Sequence, residues 1–176
     1  MAVPVTIDGV VREFLVEPGS SYSGIYEDVA AEMSLSEERL DSVQVYSDRG
    51  KHIDHYTVVP SLAIGSSTGS HLHFLLNPRG QNPPDIAGYM GIDVLKNFDL
   101  DFDFASMTLN LFSQDHCKGK VVDWAPDYAE ISYKVSWGGR IEIPVTLEDT
   151  ILECTPRLRH GNWVTVIPTR DCIGLM

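Results

Sequence analysis

A single carboxylate, Glu17, stands where the sequence best supports chemistry. It follows the apolar run Phe14-Leu15-Val16 and precedes Pro18-Gly19, with hydroxyls directly after it at Ser20 and Ser21. A strand that ends in an acid and a tight turn holds the carboxylate rigidly, because the strand fixes its backbone and the turn amides can hydrogen-bond its oxygens. The simpler alternative is an ordinary strand-to-loop turn with a solvated glutamate.

The charge balance excludes several classes of partner. The 176 residues include 13 basic and 25 acidic side chains, for a net charge of −12, so nucleic acid and anionic membrane surfaces would repel the chain. The composition is typical of a globular protein with one domain, or one domain with an appendage. No apolar run approaches the roughly 20 residues that span a bilayer. We predict neither a nucleic-acid partner nor a membrane partner.

The amino terminus and the cysteines indicate the compartment. Residues 1–8 lack the basic region and apolar segment of a secretory signal, which predicts a cytoplasmic protein, or a periplasmic one if a leader has been removed. Cys117, Cys154 and Cys172 are too few and too scattered for a disulfide framework. We therefore expect reduced thiols.

The first third of the chain has strand-like and helical segments in turn. Residues 3–7 and 10–16 are strand-like, and Asp8-Gly9 between them predicts a two-residue hairpin because both positions tolerate φ > 0. Residues 25–33 repeat apolar side chains every four positions, which predicts a helix. Residues 36–40 predict one further helical turn with a serine cap.

Residues 42–77 predict a run of hairpins. The polar turn 47–50 would project as a tip, and 71–76 would form a strand. His71 and His73 lie two positions apart, so they share one face of the predicted strand, and His52 and His55 lie three positions apart. Further ligands are not evident near either pair, so we expect no metal site. The alternating pattern places His71 and His73 on the solvated face of the strand.

Residues 86–112 have the most informative pattern. An apolar strand ends at Gly91, and a two-turn helix follows with Ile92, Leu95 and Phe98 on one face. The next strand alternates acids with apolar residues before a turn leads into a returning strand over 108–112. The acids of this strand are Asp99, Asp101 and Asp103, and such a row could bind calcium. Because they alternate with apolar residues at a period of two, they are more simply explained as the solvated face of a half-buried strand.

These segments together resemble a known family. The passage 88–112 looks like the closing segment of the retropepsin-like aspartic peptidase lobe, in which Gly, two apolar residues and Gly precede a helix and an Asp-rich hairpin. Upstream, residues 14–21 stand at the family's apolar strand followed by Asp-Thr-Gly-Ala/Ser-Ser. The resemblance covers residues 3–112 and implies a mainly β, barrel-like lobe with ψ-loops and one or two short helices. It implies no cofactor and no metal.

The resemblance also implies site residues. The catalytic position holds Glu17, followed by Gly19 and Ser20, where Ser20 would support the carboxylate. The binding residues would come from the tip of the family's flap and from its apolar-apolar-Gly motif, which here are Asp48, Arg49 and Gly50, and Tyr89, Met90 and Gly91.

Two departures from the family pattern affect catalysis. In this family two aspartates share one proton, because like charges about 3 Å apart cannot both ionise, and together they activate a water. Here Glu17 replaces the aspartate and Pro18 replaces the threonine whose hydroxyl links the two active-site loops. The resemblance thus leaves two functions: a catalytically impaired lobe that binds peptides or forms a homodimer, and an active endopeptidase in which each subunit contributes Glu17.

The last third of the chain resembles the start of a second lobe. Residues 113–137 read as a connector, and 138–176 form a predicted β extension that begins with a hairpin. The stretch 143–149 echoes 3–9 at an offset of 140 positions, as in bacterial tandem forms of the family. At that offset Arg157 stands opposite Glu17, so no second acid is supplied. The alternative is that Pro-Val-Thr recurs in unrelated strands.

Overall fold

The computed structural model describes residues 1–41, 44–47, 50–114, 131–136, 139, 141–147 and 150–154. Two compact units emerge, one comprising Ala2–Val16 and Tyr22–Met90, here called the barrel unit. The other comprises Met1, Glu17–Ser21 and the described part of Gly91–Met176, here called the site unit.

The described residues of the barrel unit form nine strands and one helix. They are β1 (Ala2–Ile7), β2 (Val10–Val16), β3 (Gly24–Tyr26), α1 (Glu27–Glu32), β4 (Glu38–Arg39), β5 (Val45–Tyr46), β6 (His52–Ile53), β7 (His55–Ile64), β8 (Ser67–Asn77) and β9 (Ile86–Met90).

Six of these strands close into a barrel. The order is β1-β2-β9-β3-β8-β7, β1 pairs again with β7 to close the ring, and β4 is an extra strand that pairs with the first part of β7. Closure removes the exposed edges of a sheet, and inward-facing residues alternate along each strand. The barrel core includes Phe14, Val59, Phe74 and Met90, all fully buried. The mainly β barrel lobe predicted from the sequence is confirmed.

The first hairpin forms as its turn residues predict. Asp8 and Gly9 adopt φ values of 47° and 81°, the left-handed conformation that a type I′ turn requires at both positions. β1 and β2 pair antiparallel with Ile7 opposite Val10. The tight turn fixes this register, which in turn decides that Phe14 and Val16 face the core.

Two helix predictions in this unit need correction: the one for residues 25–33 is wrong in part, and the one for residues 36–40 is wrong in full. Ile25 and Tyr26 belong to β3 instead of the predicted helix, because β3 lies between β8 and β9 and hydrogen-bonds to both. The helix begins only at Glu27, with acids in its first turn as predicted. Residues 38 and 39 form β4 instead of a helical turn, since they pair with Tyr56 and His55 on β7. Tertiary pairing overrides local preference in both places.

The described part of the site unit contains one short helix and five strands. They are α2 (Ile92–Leu95), β10 (Phe98–Asp103), β11 (Thr108–Ser113), β12 (Lys134–Val135), β13 (Ile141–Leu147) and β14 (Thr150–Cys154). β10 and β11 form the predicted antiparallel hairpin, and β12, β13 and β14 form a three-stranded sheet. Helix α2 has one turn, not the predicted two, and Phe98 begins the next strand.

The aspartate row of β10 does not all face solvent. Asp103 is exposed and Asp101 half-buried, as a solvated face requires, but Asp99 is 1% exposed. Burial raises the pKa of Tyr133, and the charge of Asp99 contributes to the same shift. The period-two pattern of one strand cannot show which of its faces the rest of the fold buries, and the prediction of a solvated face is wrong for Asp99 for that reason.

Candidate functional site

The loop Glu17–Ser21, here called the Glu17 loop, follows β2 without an intervening residue. The Ser20 amide donates a hydrogen bond of 2.9 Å to the Glu17 carbonyl, which closes a four-residue turn with Pro18 and Gly19 at its centre. Pro18 and Gly19 are buried, whereas Glu17 and Ser20 are half-buried. The tight turn predicted after the strand is therefore present.

A second hydrogen bond joins this loop to the residue after Gly91. The Ile92 amide donates to the Ser20 carbonyl at 2.8 Å. Ile92 is the first residue of α2, where the backbone amides have no partner within the helix, so the serine carbonyl satisfies one of them. The structure thus brings together two sequence motifs about 70 positions apart, the one that contains Glu17 and the one that ends at Gly91.

The strands that lead into these two motifs are neighbours in the barrel. β2 and β9 pair in parallel, with Leu15 opposite Tyr89 and Val16 opposite Met90. When two parallel strands end side by side, the loops that follow them begin at the same edge of the sheet. Register alone therefore explains why Glu17 and Gly91 begin neighbouring loops.

The apolar-apolar-Gly motif has a structural basis in the barrel. Tyr89 is half-buried and Met90 is fully buried, so Met90 is part of the core. The Tyr89 hydroxyl accepts a hydrogen bond of 3.0 Å from the side-chain amide of Asn77. The sequence interpretation missed Asn77, whose only signal was a polar residue at the end of the apolar run Phe74-Leu75-Leu76.

Close backbone packing explains the glycine that starts this motif. A Cβ at Gly88 would lie 2.2 Å from the Gly24 carbonyl oxygen and 2.9 Å from the Ile25 Cα. Backbone atoms cannot move aside as a flexible side chain can, so only glycine allows β3 and β9 to pair here. This requirement belongs to the barrel and not to ligand binding.

The predicted tip lies at the end of the hairpin β5–β6. Val45 pairs with Ile53 and Tyr46 with His52. The Gly50 amide donates to the Ser47 carbonyl at 2.9 Å, and Gly50 is exposed with φ of 73°. The other two predicted tip residues, Asp48 and Arg49, lie outside the described residues.

The described ranges contain neither a cluster of metal ligands nor a membrane-spanning helix. There, no three His, Cys, Asp or Glu side chains come together as a metal site would require. His71 and His73 are exposed on β8, as their alternation predicts. Over the same part of the chain, no helix has both the length and the apolar character needed to cross a bilayer.

Comparisons with known proteins agree with the motifs. A solved structure, a retropepsin-like aspartic protease from Rickettsia conorii, is similar at 14% identity with a TM-score of 0.45 over 62% of this chain and 79% of that chain. None of the curated proteins matches the sequence. The family model described as aspartyl protease matches residues 3–94, from the first strand of the barrel through the Glu17 loop to α2. Since that match extends over more than half of the sequence, the chain belongs to the aspartyl protease family, as its motifs predict.

Proposed function

We propose that this chain is a peptide-binding lobe of the aspartyl protease family with little or no hydrolytic activity. The observation that carries the proposal is the Glu17 loop, where a glutamate and a buried proline stand at the family's Asp-Thr positions. The tight turn and its hydrogen bond to Ile92 support a folded site whose reactive group has changed.

Glutamate is a poor substitute for aspartate in this chemistry. Its side chain is longer by one methylene, roughly 1.5 Å. Two carboxylates that share a proton and activate one water must be placed closely, and a displacement of about 1 Å can cost about a hundredfold in rate. We therefore expect Glu17 to position that water badly.

Proline at position 18 removes a second part of the catalytic arrangement. It has neither a backbone N–H nor a hydroxyl, so it cannot make the hydrogen bonds that the family's threonine makes. Because Pro18 is buried, an additional water would find little room to replace that hydroxyl. The two substitutions together favour loss of catalysis.

Peptide binding does not need the catalytic pair. Among the described strands, β5 and β6 pair only with each other, so each has an outer edge with unpaired backbone groups. An extended peptide can add to such an edge by main-chain hydrogen bonds, with side-chain pockets providing specificity. We propose a peptide or an extended protein segment as the ligand.

The test measures cleavage and binding separately. Purified protein is incubated with a peptide library between about pH 3 and pH 7, the range in which carboxylate pairs of this type titrate. The variants are Glu17→Gln, the double variant Glu17→Asp with Pro18→Thr, and Glu27→Gln as a control that removes an exposed acid elsewhere. We expect peptide binding by the native chain and no cleavage above the Glu17→Gln background, with cleavage gained in the double variant.

An active endopeptidase is the alternative function. Glu17 is only half-buried, so a carboxylate from a second subunit and a water could reach it, and the chain belongs to a family of proteases. In that case a homodimer would contribute Glu17 from each copy, with Ser20 supporting the pair. Cleavage by the native chain that disappears in Glu17→Gln and persists in Glu27→Gln would establish this alternative and overturn the proposal.

A further inference from the structure

The hairpin β5–β6 of the barrel unit has two unlike faces. Val45 pairs with Ile53, and Tyr46 pairs with His52. Ile53 is 3% exposed and Val45 is half-buried, whereas Tyr46 is 57% exposed and His52 is exposed as well. Because successive side chains of a strand point to opposite faces, the first pair forms a buried inner face and the second pair forms a solvated outer face.

The hydrogen-bond pattern of the hairpin identifies which backbone groups face its edges. The Ser47 amide donates to the Lys51 carbonyl at 2.8 Å, so these two residues form a hydrogen-bonded pair. Hydrogen-bonded and non-hydrogen-bonded pairs alternate along an antiparallel ladder, so the pair of Tyr46 with His52 is of the second kind. The Tyr46 N–H and C=O therefore point away from β6, toward the outer edge of β5, where no other described strand pairs.

A strand added to this edge would meet Tyr46 directly. The ligand residue that exchanges both backbone hydrogen bonds with Tyr46 lies opposite it, with Cα atoms about 5.5 Å apart. Its side chain shares the outer face with the Tyr46 ring, since cross-strand partners point the same way. The ligand residues before and after it point to the inner face, beside Val45, where apolar side chains fit best.

The Tyr46 ring suits a cationic side chain. It meets the His52 ring edge to face, with centroids 5.4 Å apart, and its exposure leaves ring surface open to a ligand. Cations, and arginine most often, bind over the face of an aromatic ring. An arginine opposite Tyr46 would therefore gain a contact that a neutral or acidic side chain would not.

Charge near this face and over the whole chain also favours a basic ligand. The exposed Asp54 follows His52 by two positions, and a hydrogen bond of 2.9 Å with the His55 ring is the main cause that lowers the pKa of its carboxyl, so Asp54 is ionised at neutral pH. Lys51 is one position from His52, so alternation places it away from the outer face. The net charge of −12 attracts a basic segment from solution.

We propose that the outer edge of β5 binds an extended basic segment, with an arginine opposite Tyr46 and apolar residues on either side of that arginine. Tyr46 is then the residue that determines specificity. The inference rests on the proposed function, since it names the class of peptide for an edge already proposed to bind one.

Binding of matched peptides to the full chain tests the proposed class. The probes are acetylated and amidated heptapeptides of alternating valine and threonine, with valine next to a central residue that is arginine, glutamine or glutamate. Fluorescence anisotropy measures their dissociation constants. We expect the arginine probe to bind about tenfold more tightly than the glutamate probe, with the glutamine probe between them.

Variants of Tyr46 test the contact itself. Tyr46→Ala should weaken binding of the arginine probe about fivefold and leave the glutamine probe nearly unchanged. Tyr46→Phe keeps the ring and should bind the arginine probe as the native chain does. Tyr22→Ala is the matched control, because it removes another exposed tyrosine of the barrel unit, 41% exposed, and should have no effect.

Amide hydrogen exchange locates the added strand. With the arginine probe at saturation, we expect exchange of the Tyr46 amide to slow by at least about tenfold, because the ligand supplies its missing hydrogen-bond partner. The Val45 amide, which is already bonded within the hairpin, should change little. Protection of the His52 amide in place of Tyr46 would assign the ligand to the edge of β6 and would overturn the proposal.

The outcomes separate this inference from the proposed function. Equal binding of the arginine and glutamate probes, or equal binding of the arginine probe by the native chain and Tyr46→Ala, would overturn the basic class and leave peptide binding in place. Failure of all three probes to bind would overturn both.

Discussion

Single side chains in the barrel unit differ in whether their polar groups have partners. Thr57 of β7 is 0% exposed, opposite Phe74, and its hydroxyl has no hydrogen-bond partner among the residues that the structure describes. A buried hydroxyl without a partner loses its hydration and gains nothing in return. Asn77, also buried, instead donates to the Leu75 carbonyl and to the Tyr89 hydroxyl.

The substitution Thr57→Val should stabilise the protein. Valine has nearly the same shape and removes the unpartnered hydroxyl, so we expect the free energy of unfolding to rise by about 1 kcal/mol. Denaturant unfolding measures the change. Thr108→Val is the matched control, since the Thr108 hydroxyl accepts a hydrogen bond from Ser106 and its loss should give no gain. A less stable Thr57→Val would mean that the hydroxyl is satisfied in solution.

A second residue-scale prediction concerns pH. Arg79 donates two hydrogen bonds to Asp28, at 2.6 and 3.1 Å, and these hold the pKa of the Asp28 carboxyl below its ordinary value of 3.8. A lowered pKa in the folded state means that the stabilisation is present above the unfolded pKa and is lost as pH falls through the folded one.

Asp28→Asn should therefore destabilise the protein more at neutral pH than in acid. The carboxylate is more than half exposed, so after allowance for solvent screening we expect about 0.5 kcal/mol at pH 7. Unfolding at pH 7 and pH 3 measures the difference, which should be smaller at the lower pH. Asp41→Asn is the control, because the Arg39–Asp41 pair is largely exposed on both sides and should contribute nothing measurable. Equal effects of the two variants would contradict the expectation.

Elements in this protein are placed by close backbone contact as much as by side chains. β3 has three residues, yet it pairs with β8 in parallel and with β9 antiparallel. Such a short strand is held only if both neighbours can approach it closely. Gly24 and Gly88 provide that approach, since a Cβ at either position would overlap atoms of the neighbouring strands.

Gly88→Ala should disrupt the barrel. Its Cβ would meet the Gly24 carbonyl oxygen at 2.2 Å, so β9 must move away from β3, and we expect a loss of more than about 3 kcal/mol or failure to fold. Thermal unfolding and circular dichroism measure it. Gly69→Ala is the matched control, because its Cβ would meet only the flexible Leu72 Cδ1, at 3.3 Å. A folded Gly88→Ala with native stability would contradict the close packing of β3 and β9.

The whole molecule is strongly acidic, and this bears on self-association. A net charge of −12 on each chain opposes the approach of two copies, whatever surface they use. If the chain forms the proposed homodimer, apolar and backbone contacts must overcome this repulsion. Salt screens the repulsion and leaves such contacts largely unaffected.

Homodimerisation should therefore strengthen with salt. Sedimentation equilibrium at about 50 and about 500 mM salt measures the dissociation constant, which we expect to fall as the Debye length decreases. Dimerisation that weakens with salt would indicate an interface of ion pairs. A monomer at tens of micromolar at both salt concentrations would contradict the homodimer, and with it the two-subunit peptidase.

Sequence alone determined the features that depend on neighbouring residues. The Asp8-Gly9 hairpin, the exposure of His71 and His73 on β8 and the turn after Val16 follow from local conformational preference and period, and each is present. The motif resemblance also identified the family, because each motif is a short run of neighbouring residues that can be recognised without the fold. These patterns require no knowledge of distant segments.

Only the tertiary structure decided features that depend on residues far apart in the chain. Ile25 and Tyr26 became a strand because β8 and β9 flank them, and Asp99 became buried. The hydrogen bond from the Ile92 amide to the Ser20 carbonyl also joins distant positions. Hydrogen bonds and burial supplied by a remote segment outweigh a local preference of a few tenths of a kcal/mol per residue, and a pattern read along one segment does not contain them.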